Sequence, residues 1–413
     1  KYILASKNQL TNLPNRSALF EDLPKYKNPK LLLSKIEDYE LLEEFYSEEI
    51  TKQIEIEFSK VVLSLFPKDL KIIQAYHTSE GEFAFIYDDI TDFLTDDVAF
   101  ELFMIFQDNI KKHIIKLNGY EYDISVINSY SYGKHNIFEH ARVGLNYAIK
   151  QDKDFIIANH IINNVKEDTK KNIKTIKMIK QAILKDNIIS YYQPIYNNKT
   201  EKIEKYESLV RLIDEDNNII PPNNFLEIGK KGKYYSQITS TVINNALHQL
   251  KTTNNSITIN LSALDIDNRN TRIHLLKAFG NCPKISKRLT FELLEDEIFK
   301  NYDLLHTFIT ESKEKGIKIA IDDFGTGYSN FERLQDFQPD ILKIDGSLIK
   351  NITTNNYCKQ IVETIQSFAQ KINVKTVAEF VSNEETFKAI REIGIDYAQG
   401  YYIGKPKKEF IKE

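Results

Sequence analysis

The stretch Ile319–Asn330, IAIDDFGTGYSN, contains the feature that decides the fold of the second half of the chain. A run of apolar residues ends in two adjacent carboxylates, Asp322 and Asp323, and a glycine-rich turn follows them. Short apolar runs bounded by turn residues are typical of buried strands. A strand has no structural need of two acids at its end. These two side chains therefore predict a functional site.

The same pattern recurs from about residue 188 onward. Strands rich in β-branched residues alternate with helical segments such as NYCKQIVETIQSFAQKI, which predicts βαβ units and a parallel sheet. About eight strands in about 230 residues is the size of a (β/α)8 barrel, so we expect an α/β, TIM-like barrel in residues 185–413. The predicted strands contain YYQPIY, KIEKYESLVRL, SITINLS, RLTFELLE, GIKIAIDDF, ILKIDGS, VKTVAEF and YAQGYYIG.

The first half, residues 1–165, predicts a separate α+β domain. Its strand near KLLLSKI precedes a helix from Tyr39 to Phe66 and a hairpin at KIIQAYHTSEGEFAFIY. A second helix, from Asp92 to Leu117, and a strand near YDISVINSYS follow. This order of elements is ferredoxin-like. A lysine-rich segment of helical propensity, residues 166–184, predicts a semi-rigid connecting helix.

Polar side chains end seven successive strands of the second half. In a (β/α)8 barrel the active site forms at the carboxyl ends of the strands, where several strands contribute one residue each. A single acid there is best explained as part of a rim salt bridge, but five carboxylates cannot be neutralised by one lysine. The strand-end residues are Glu207, Asn260, Glu292, Asp322 with Asp323, Lys343, Glu379 and Gln399.

These residue types indicate a metal centre. Oxygen ligands from Asp, Glu and Asn suit Mg²⁺, Mn²⁺ or Ca²⁺ and do not favour zinc. Two adjacent acids, Asp322 and Asp323, fit a pair of ions bridged by one carboxylate. Such a pair supports in-line attack on a phosphoryl group. The strand ends therefore predict phosphoryl chemistry.

The second half resembles the EAL phosphodiesterase family, which hydrolyses cyclic di-GMP to the linear dinucleotide pGpG. The resemblance implies cyclic di-GMP as the substrate and two Mg²⁺ or Mn²⁺ ions in each site. It runs from Ile188 to Pro406, with every motif in the family's order. The matching motifs are YYQPIY, YESLVRL, ITINLS, FELLEDE, IDDFGTGYSNF, DILKID, VAEFVS and AQGYYIGKP.

The resemblance implies a role for each matching residue. Lys343 would orient the attacking water and help to deprotonate it, with Gln399 as a supporting hydrogen-bond partner. Glu207 and Glu379 would act in catalysis as well as in metal binding. The implied ligands of one ion are Glu207, Asn260, Glu292 and Asp322. Those of the second ion are Asp322, Asp323 and Glu379.

Further residues are implied in substrate binding and assembly. Gln193 and Arg211 would contact the substrate, Arg211 through a guanidinium–phosphate pair. Glu295 would brace a loop that in the family lies at the dimer interface and couples assembly to metal binding, so we expect a homodimer. The loop residues are Phe324, Gly325, Thr326 and Gly327.

The chain departs from the family at two motifs. Ser208 replaces the usual alanine after Glu207, a change that leaves the metal-binding acid in place. The family's Ala-Glu-Gly-Val-Glu is Ala378–Ser382, AEFVS, so its second acid is absent. We expect the remaining ligands to suffice for hydrolysis. A receptor that binds cyclic di-GMP and signals by conformation is the alternative.

The first half resembles a GGDEF diguanylate cyclase domain, through LTNLPNRSALF and the hairpin. The cyclase signature becomes Ser79-Glu80-Gly81-Glu82-Phe83, and Lys35 stands where the family has a metal-binding aspartate. Lost glycines obstruct a close approach of GTP, and a lysine repels a metal ion. We expect a degenerate cyclase, either an inert dimerising module or a regulatory one.

The charge and the hydrophobicity of the chain limit the classes of partner that we expect. The net charge of −4 gives no basic footprint for nucleic acid. We expect no membrane segment, because the chain has no run of about 18 apolar residues. The chain begins at Lys1 without a signal peptide, so we expect part of a longer cytoplasmic protein that has a further, sensory region. Cys282 and Cys358 are expected to be thiols in a reducing compartment.

Overall fold

The structure, a computed structural model, describes residues 6–280, 282–294, 302–325 and 337–411. The chain divides into two compact units, Lys1–Lys171 and Asn172–Glu413, called here the first and the second unit. No helix within the described ranges is both long and apolar enough to cross a membrane.

The first unit is built on a five-stranded sheet with two short strands beside it. The strands are β1 (Pro29–Ile36), β2 (Gln74–Ser79), β3 (Glu82–Asp88), β4 (Ile114–Leu117), β5 (Tyr120–Asp123), β6 (Val126–Tyr132) and β7 (Phe155–Ile157). The α-helices are α1 (Arg16–Asp22), α2 (Tyr39–Tyr46), α3 (Glu48–Val61), α4 (Asp96–Lys112) and α5 (Ile137–Lys150). Two 3₁₀ turns, Leu23–Lys25 and Val62–Leu65, complete it. A further helix, α6 (Ala158–Leu184), contains the division between the units.

The sheet order β2-β3-β1-β6-β7 contains the ferredoxin-like arrangement. β1 pairs antiparallel with β3 and β6, and β2 pairs antiparallel with β3, while β7 adds a parallel edge to β6. The two faces of β1 pack into two separate hydrophobic cores, because alternate side chains of a strand point to opposite faces of the sheet. Leu32 packs with Phe58 and Phe85, whereas Leu31 and Leu33 pack with Phe138.

The prediction of one helix from Tyr39 to Phe66 is wrong, because the chain breaks at Ser47. Ser47 has φ 95° and ψ 152°, which no helix can contain. The backbone N–H and the hydroxyl of Thr51 both donate to the carbonyl of Ser47, so a new helix begins there. The segment contains neither glycine nor proline, so the sequence pattern gives no sign of the break.

The predicted helix from Asp92 to Leu117 is also shorter than expected. It spans Asp96–Lys112 and is followed by the β4–β5 hairpin, whose turn is Asn118-Gly119. Both turn residues have positive φ, as the two-residue hairpin turns require. The predicted strand at YDISVINSYS is therefore two strands, β5 and β6, on different sheets.

The second unit is a closed barrel surrounded by helices, which confirms the predicted TIM-like fold. Its strands are β8 (Ile188–Asn197), β9 (Lys202–Ile213), β10 (Ile219–Ile220), β11 (Ser256–Leu261), β12 (Leu289–Leu294), β13 (Lys318–Phe324), β14 (Ile341–Ile344), β15 (Lys375–Ala378) and β16 (Tyr397–Gln399). The α-helices are α7 (Leu226–Lys230), α8 (Tyr235–Thr252), α9 (Ala263–Asp267), α10 (Arg269–Gly280), α11 (Pro283–Ser286), α12 (Tyr302–Glu314), α13 (Gly346–Lys350), α14 (Asn356–Lys371) and α15 (Glu384–Ile393). A 3₁₀ turn spans Pro222–Asn224.

The barrel differs from a regular (β/α)8 barrel in the direction of one strand. β9 and β11 to β16 pair in parallel in chain order, and β8 closes the ring between β16 and β9. β8 runs antiparallel to both neighbours, contrary to the expectation of an all-parallel sheet. Only residues 198–201 separate β8 from β9, which is a hairpin connection and too short for the crossover that parallel strands need.

Candidate functional site

Four carboxylates surround one buried lysine at the carboxyl ends of the barrel strands. The ammonium of Lys343 on β14 is 1% exposed and lies within reach of a carboxylate from each of β9, β12 and β13 and from the residue after β15. Its Nζ distances to the nearest oxygens of Glu207, Glu292, Asp322 and Glu379 are 3.6, 3.0, 3.0 and 2.7 Å. We call this group of five residues the carboxylate ring.

Glu207 also organises the amide side chains of the site. Asn260 Nδ2 donates to Glu207 Oε1 at 2.7 Å, and Gln399 Nε2 donates to Glu207 Oε2. Gln399 Nε2 lies 3.5 Å from Gln193 Oε1, at the limit of a hydrogen bond. The structure thus brings Glu207, Asn260 and Gln399 together, and Gln193 on the antiparallel strand β8, an implied substrate contact, lies beside them.

A β-bulge explains how two adjacent acids serve one site. Between Ile321 and Phe324 the pairing of β13 with β14 shifts by one residue, so β13 contains one extra residue there. Asp323 adopts a left-handed conformation with φ 56°. Consecutive side chains of a regular strand point to opposite faces, and a bulge re-aims one of them. Carboxylate oxygens of Asp322, Asp323 and Glu379 consequently lie within 4.8 Å of one another.

The charges of the ring shift the pKa values of its members. Burial lowers the pKa of the Lys343 ammonium, but the surrounding carboxylates outweigh burial and raise it well above its usual value. Burial raises the pKa of Glu379 to about 8 and that of Asp323 to about 6, in each case with help from the charge of Asp322. The pKa of Glu292 is raised too, chiefly by burial. The site thus contains more acid than one lysine can neutralise.

The residues fit hard divalent cations. All the candidate ligands are carboxylate or amide oxygens, which Mg²⁺ and Mn²⁺ prefer. Asp322 Oδ1 is buried and lies 3.0 Å from Lys343 Nζ, yet it accepts no well-aligned hydrogen bond from the described residues. A buried carboxylate oxygen left in this way is a suitable ligand atom. Asp322, Asp323 and Glu379 form the closest group of such oxygens.

Other predicted residues lie away from the ring or outside the described ranges. Arg211, further along β9, donates to the carbonyl of Val210 and lies over the ring of Tyr191, and these are its polar and cation–π contacts in the described structure. Phe324 ends β13 and is buried in the barrel core, and Gly325 follows it with φ 101°. Glu295, Thr326 and Gly327 fall outside the described residues.

One acid near the site was not predicted. Asp345 follows β14 directly and caps α13, where its Oδ1 accepts from the backbone of Ser347 at 2.7 Å. Its side chain is hydrogen-bonded to that of Asp323 and helps to raise the pKa of Asp323. The signal was available, since Asp345 lies at a strand end in the motif DILKID. The sequence analysis assigns a function to Lys343 in this motif and none to Asp345.

Phe380 and Ser208 are two of the positions at which the chain departs from the family motifs. Phe380 has φ 53°, a conformation that suits the glycine usual at this position, and Lys350 Nζ lies 4.1 Å from the centre of its ring. Ser208 is buried, and its hydroxyl has no hydrogen-bond partner among the described residues. Neither change displaces a member of the carboxylate ring.

The first unit has a cavity of about 810 Å³ beside the β2–β3 turn. Lys35, Ser79 and Glu80, three of the residues that the cyclase resemblance singles out, line it together. Lys35 Nζ pairs with Glu40 Oε1 at 2.9 Å. An ammonium therefore occupies the place where the cyclase resemblance puts a metal-binding aspartate.

Gly81 is the residue that the cyclase resemblance aligns with a metal-binding acid of the signature. It has φ 65°, and a Cβ atom there would lie 2.5 Å from the ring of Tyr39. The backbone of Gly81 donates to buried Glu55, which also pairs with His77 at 3.0 Å. Any acid at position 81 would therefore require Tyr39 to move. Glu82 and Phe83 begin β3, where Phe83 is buried in the core and the backbone carbonyl of Glu82 accepts from Thr78.

Comparisons with known proteins agree with the barrel fold. The EAL domain model matches residues 176–406. The cyclic di-GMP phosphodiesterase PdeA of Borreliella burgdorferi is 34% identical over 239 residues, which are 57% of this chain and 36% of that protein. The chain thus matches about a third of the length of this relative.

Two solved structures share the fold. One is described as the PaMucR phosphodiesterase in a c-di-GMP complex and has a TM-score of 0.54 and 25% identity, covering 57% of this chain and 97% of that one. The other is the S helix-GGDEF-EAL part of Vibrio cholerae LapD, bound to c-di-GMP. It has a TM-score of 0.53 and 16% identity, covering 97% of both chains, so that likeness concerns the fold alone. With more than half of its length matched by the family model, this chain belongs to the EAL domain family.

Proposed function

We propose that the second unit hydrolyses cyclic di-GMP to linear pGpG with the help of two Mg²⁺ or Mn²⁺ ions. The carboxylate ring carries this proposal. Every strand-end residue that the EAL resemblance assigns to metal or water is present, and the structure places Glu207, Glu292, Asp322 and Glu379 around Lys343. The relatives named cyclic di-GMP phosphodiesterases support the choice of substrate.

The EAL resemblance implies the ligand sets, and the contacts of the ring are compatible with them. Glu207, Glu292 and Asp322 with the amide oxygen of Asn260 would hold one ion, and Asp322, Asp323 and Glu379 the other. When bound, the ions supply Lewis-acid polarisation of the phosphodiester and a more acidic water. Hydrogen bonds from Asn260 and Gln399 fix the orientation of Glu207, so that this carboxylate faces the ring.

Lys343 orients the reacting groups in this proposal. The four surrounding carboxylates raise the pKa of Lys343 well above its usual value before any cation joins them, which favours an ammonium that donates hydrogen bonds. Lys343 would hold the attacking water in place as such a donor, and its help in deprotonating that water is part of what the EAL resemblance implies. Lys343 also offsets part of the negative charge that cyclic di-GMP brings into an acidic site.

For the first unit we propose a degenerate GGDEF domain without cyclase activity. Its ferredoxin-like sheet order and the fold likeness to the GGDEF-EAL part of LapD support the assignment. The contact of Lys35 with Glu40 and the closeness of Tyr39 to Gly81 argue against a metal-dependent cyclase site. Its remaining role would be regulatory or dimerising.

The decisive experiment follows cyclic di-GMP with Mg²⁺ or Mn²⁺ by chromatography, using the purified chain. We expect linear pGpG as the product and its loss when a chelator is added. Asp322→Asn and Lys343→Ala should each abolish turnover, because they remove the shared ligand and the central donor. Glu204→Gln is the matched control and should keep full activity, since Glu204 lies on the same strand but binds Asn197 and Thr200.

The other outcomes separate the alternatives. Tight binding of cyclic di-GMP without turnover in either metal would contradict the enzyme and support the receptor. Turnover at the parental rate in Lys343→Ala would contradict the role given to Lys343. Incubation with GTP should yield no cyclic di-GMP, and any product would contradict the degenerate cyclase.

A further inference from the structure

A second polar cavity lies at the opposite end of the barrel. Its volume is about 760 Å³, and the first residues of β13, β14, β15 and β16 line it. These residues are Lys318, Ile341, Lys375 and Tyr397. The carboxylate ring lies at the carboxyl ends of the barrel strands, β13 and β14 among them. The two sites are therefore at opposite ends of the barrel. We call this second site the basic cavity.

The basic cavity contains an excess of positive charge. Four lysines line it, Lys205, Lys313, Lys318 and Lys375, against one carboxylate, Asp340. Oδ2 of Asp340 accepts from the backbone of Ile319 at 2.9 Å. Lys375 pairs with Asp396 at 2.7 Å, and Lys313 donates to the carbonyl of Gln338. Lys205 and Lys318 have no such partner in the described structure.

Lys205 is the most unusual of the four lysines. It lies on β9 two residues before Glu207, so both side chains are on the same face of the strand. Only 7% of Lys205 is exposed, and its Nζ lies 4.0 Å from the centre of the Tyr397 ring. No carboxylate in the described ranges lies within ion-pair distance of it. A buried ammonium without a counter-ion is costly, and a bound anion would remove that cost.

The remaining wall of the cavity is partly apolar, with Gln338 and Asn373 as its polar members. Pro339, Phe368, Ile372 and Val374 line it beside the aromatic face of Tyr397. A volume of this size accommodates a small organic molecule, and pockets for such ligands combine an apolar wall with a few polar groups. The combination here selects a molecule with an anionic end and an apolar or planar body.

We propose that the basic cavity binds a small phosphorylated organic molecule, whose phosphate lies at Lys205 and Lys318. Phosphate suits this arrangement because two lysines can offset its two negative charges as point charges. The body of the ligand would lie against Phe368 and Tyr397. This site does not depend on the metal centre, so it does not rest on the proposed phosphodiesterase activity.

Binding is tested by calorimetry on the full chain in the presence of a chelator, which keeps anions from binding through metal ions. The probes are adenosine 5′-monophosphate, inorganic phosphate and adenosine. We expect binding of the monophosphate, weaker binding of phosphate and none of adenosine. Lys205→Met should lower the affinity for the monophosphate at least about tenfold, the value of one charge-assisted hydrogen bond.

Two further variants make the result specific. Lys318→Gln, at an exposed strand start, should lower the affinity severalfold and serves as the test if Lys205→Met proves unstable. Lys251→Gln removes an equal charge from the exposed end of α8 and should leave the affinity unchanged. Unchanged affinity in both cavity variants, or no binding of the monophosphate and of phosphate to the parent chain, would overturn the proposal.

Discussion

At position 208 the chain has a serine where the EAL motif usually has alanine, and the serine brings a buried hydroxyl with no partner among the described residues. An unsatisfied buried hydroxyl costs about 1–3 kcal/mol. We expect Ser208→Ala to raise the free energy of unfolding by about 1 kcal/mol, measured by denaturant titration. Hydrolysis of cyclic di-GMP should be unchanged, because Glu207 keeps its contacts with Asn260 and Gln399.

Ser190→Ala is the matched control for this prediction. Ser190 lies buried on the neighbouring strand β8, but its hydroxyl accepts from Asn245 Nδ2 at 3.4 Å. Removing a hydroxyl that has a partner should lower stability by about 0.5–1.5 kcal/mol. Equal effects of the two substitutions would contradict the unsatisfied state of Ser208.

Substitutions at Gly346 and Phe380 should be strongly coupled in their effects on the free energy of unfolding. A Cβ atom on Gly346 would lie 2.1 Å from Cδ2 and 2.6 Å from Cγ of the half-exposed Phe380, so the whole ring would have to shift. We expect Gly346→Ala to lower the free energy of unfolding by about 1–3 kcal/mol. In the Phe380→Gly background the same change should cost almost nothing, because the clash is gone and alanine favours the helix.

The measurement for this pair is a double-mutant cycle of unfolding free energies. Phe380→Gly alone relieves the backbone strain of an aromatic residue at a positive φ of 53°. It also loses the contact of the ring with Lys350. The single variant therefore combines two opposing effects, and the cycle isolates the contact. Additive effects of the two substitutions would show that Phe380 does not determine the need for glycine at 346.

At the scale of elements, the break between α2 and α3 gives a test of backbone strain. Ser47 has φ 95° and ψ 152°, a region that glycine alone adopts readily. We expect Ser47→Gly to raise the unfolding free energy by about 1 kcal/mol, since relief of about 1–3 kcal/mol of strain exceeds the entropy that glycine adds to the unfolded chain. Thermal and denaturant unfolding measure it.

Ser59→Gly, inside α3, is the control for the helix break. Ser59 has helical neighbours on both sides, so glycine there should lower stability by about 0.5–1 kcal/mol. A loss of stability in both variants would contradict the strain assigned to Ser47. The same comparison separates a local backbone effect from a general effect of glycine on helices.

The bulge in β13 is the element on which the proposed metal site depends. It places Asp322 and Asp323 on the same side of the barrel mouth, although adjacent residues of a regular strand face opposite ways. Each of the other strands contributes one proposed ligand, which lies at or near the carboxyl end of that strand. Element geometry therefore gives the site its closest group of oxygens.

At the scale of the whole molecule, stability and metal binding should be linked through Glu379. Its pKa is raised from 4.5 to about 8, by burial and by the charges of Asp322 and Glu207, against the opposing charge of Lys343. The folded protein therefore holds this proton more tightly than the unfolded chain does. The resulting stability is fully present below pH 4.5 and is lost as the pH rises to about 8.

Divalent cations should reverse that loss. A cation needs the carboxylate form of Glu379, so we expect Mg²⁺ to raise the melting temperature more at pH 8 than at pH 5. Thermal unfolding at both pH values, with and without Mg²⁺, measures the difference. Glu379→Gln should reduce the pH dependence of the Mg²⁺ effect and leave the part that comes from Asp323, whose pKa is about 6. An equal effect of Mg²⁺ at both pH values in the parent chain would contradict this linkage.

Much of the site could be predicted because barrel topology converts sequence position into spatial position. Glu207, Glu292, Asp322, Glu379 and Lys343 each close an apolar strand pattern, and parallel strands bring their ends together. Asp345 was not predicted, because Lys343 already accounts for a polar residue at the end of the same strand. The helix break at Ser47 was missed because no glycine or proline marks it.

The sequence by itself determined the barrel, the strand ends and the types of ligand, since these depend on local periodicity and residue chemistry. It identified the acids at 322 and 323 without showing how adjacent residues could serve one site. The tertiary structure decided that point through the bulge at Asp323. It also set the direction of β8 and buried Lys205 without a carboxylate partner in the described structure. These features depend on contacts between residues far apart in the chain, which no local pattern records.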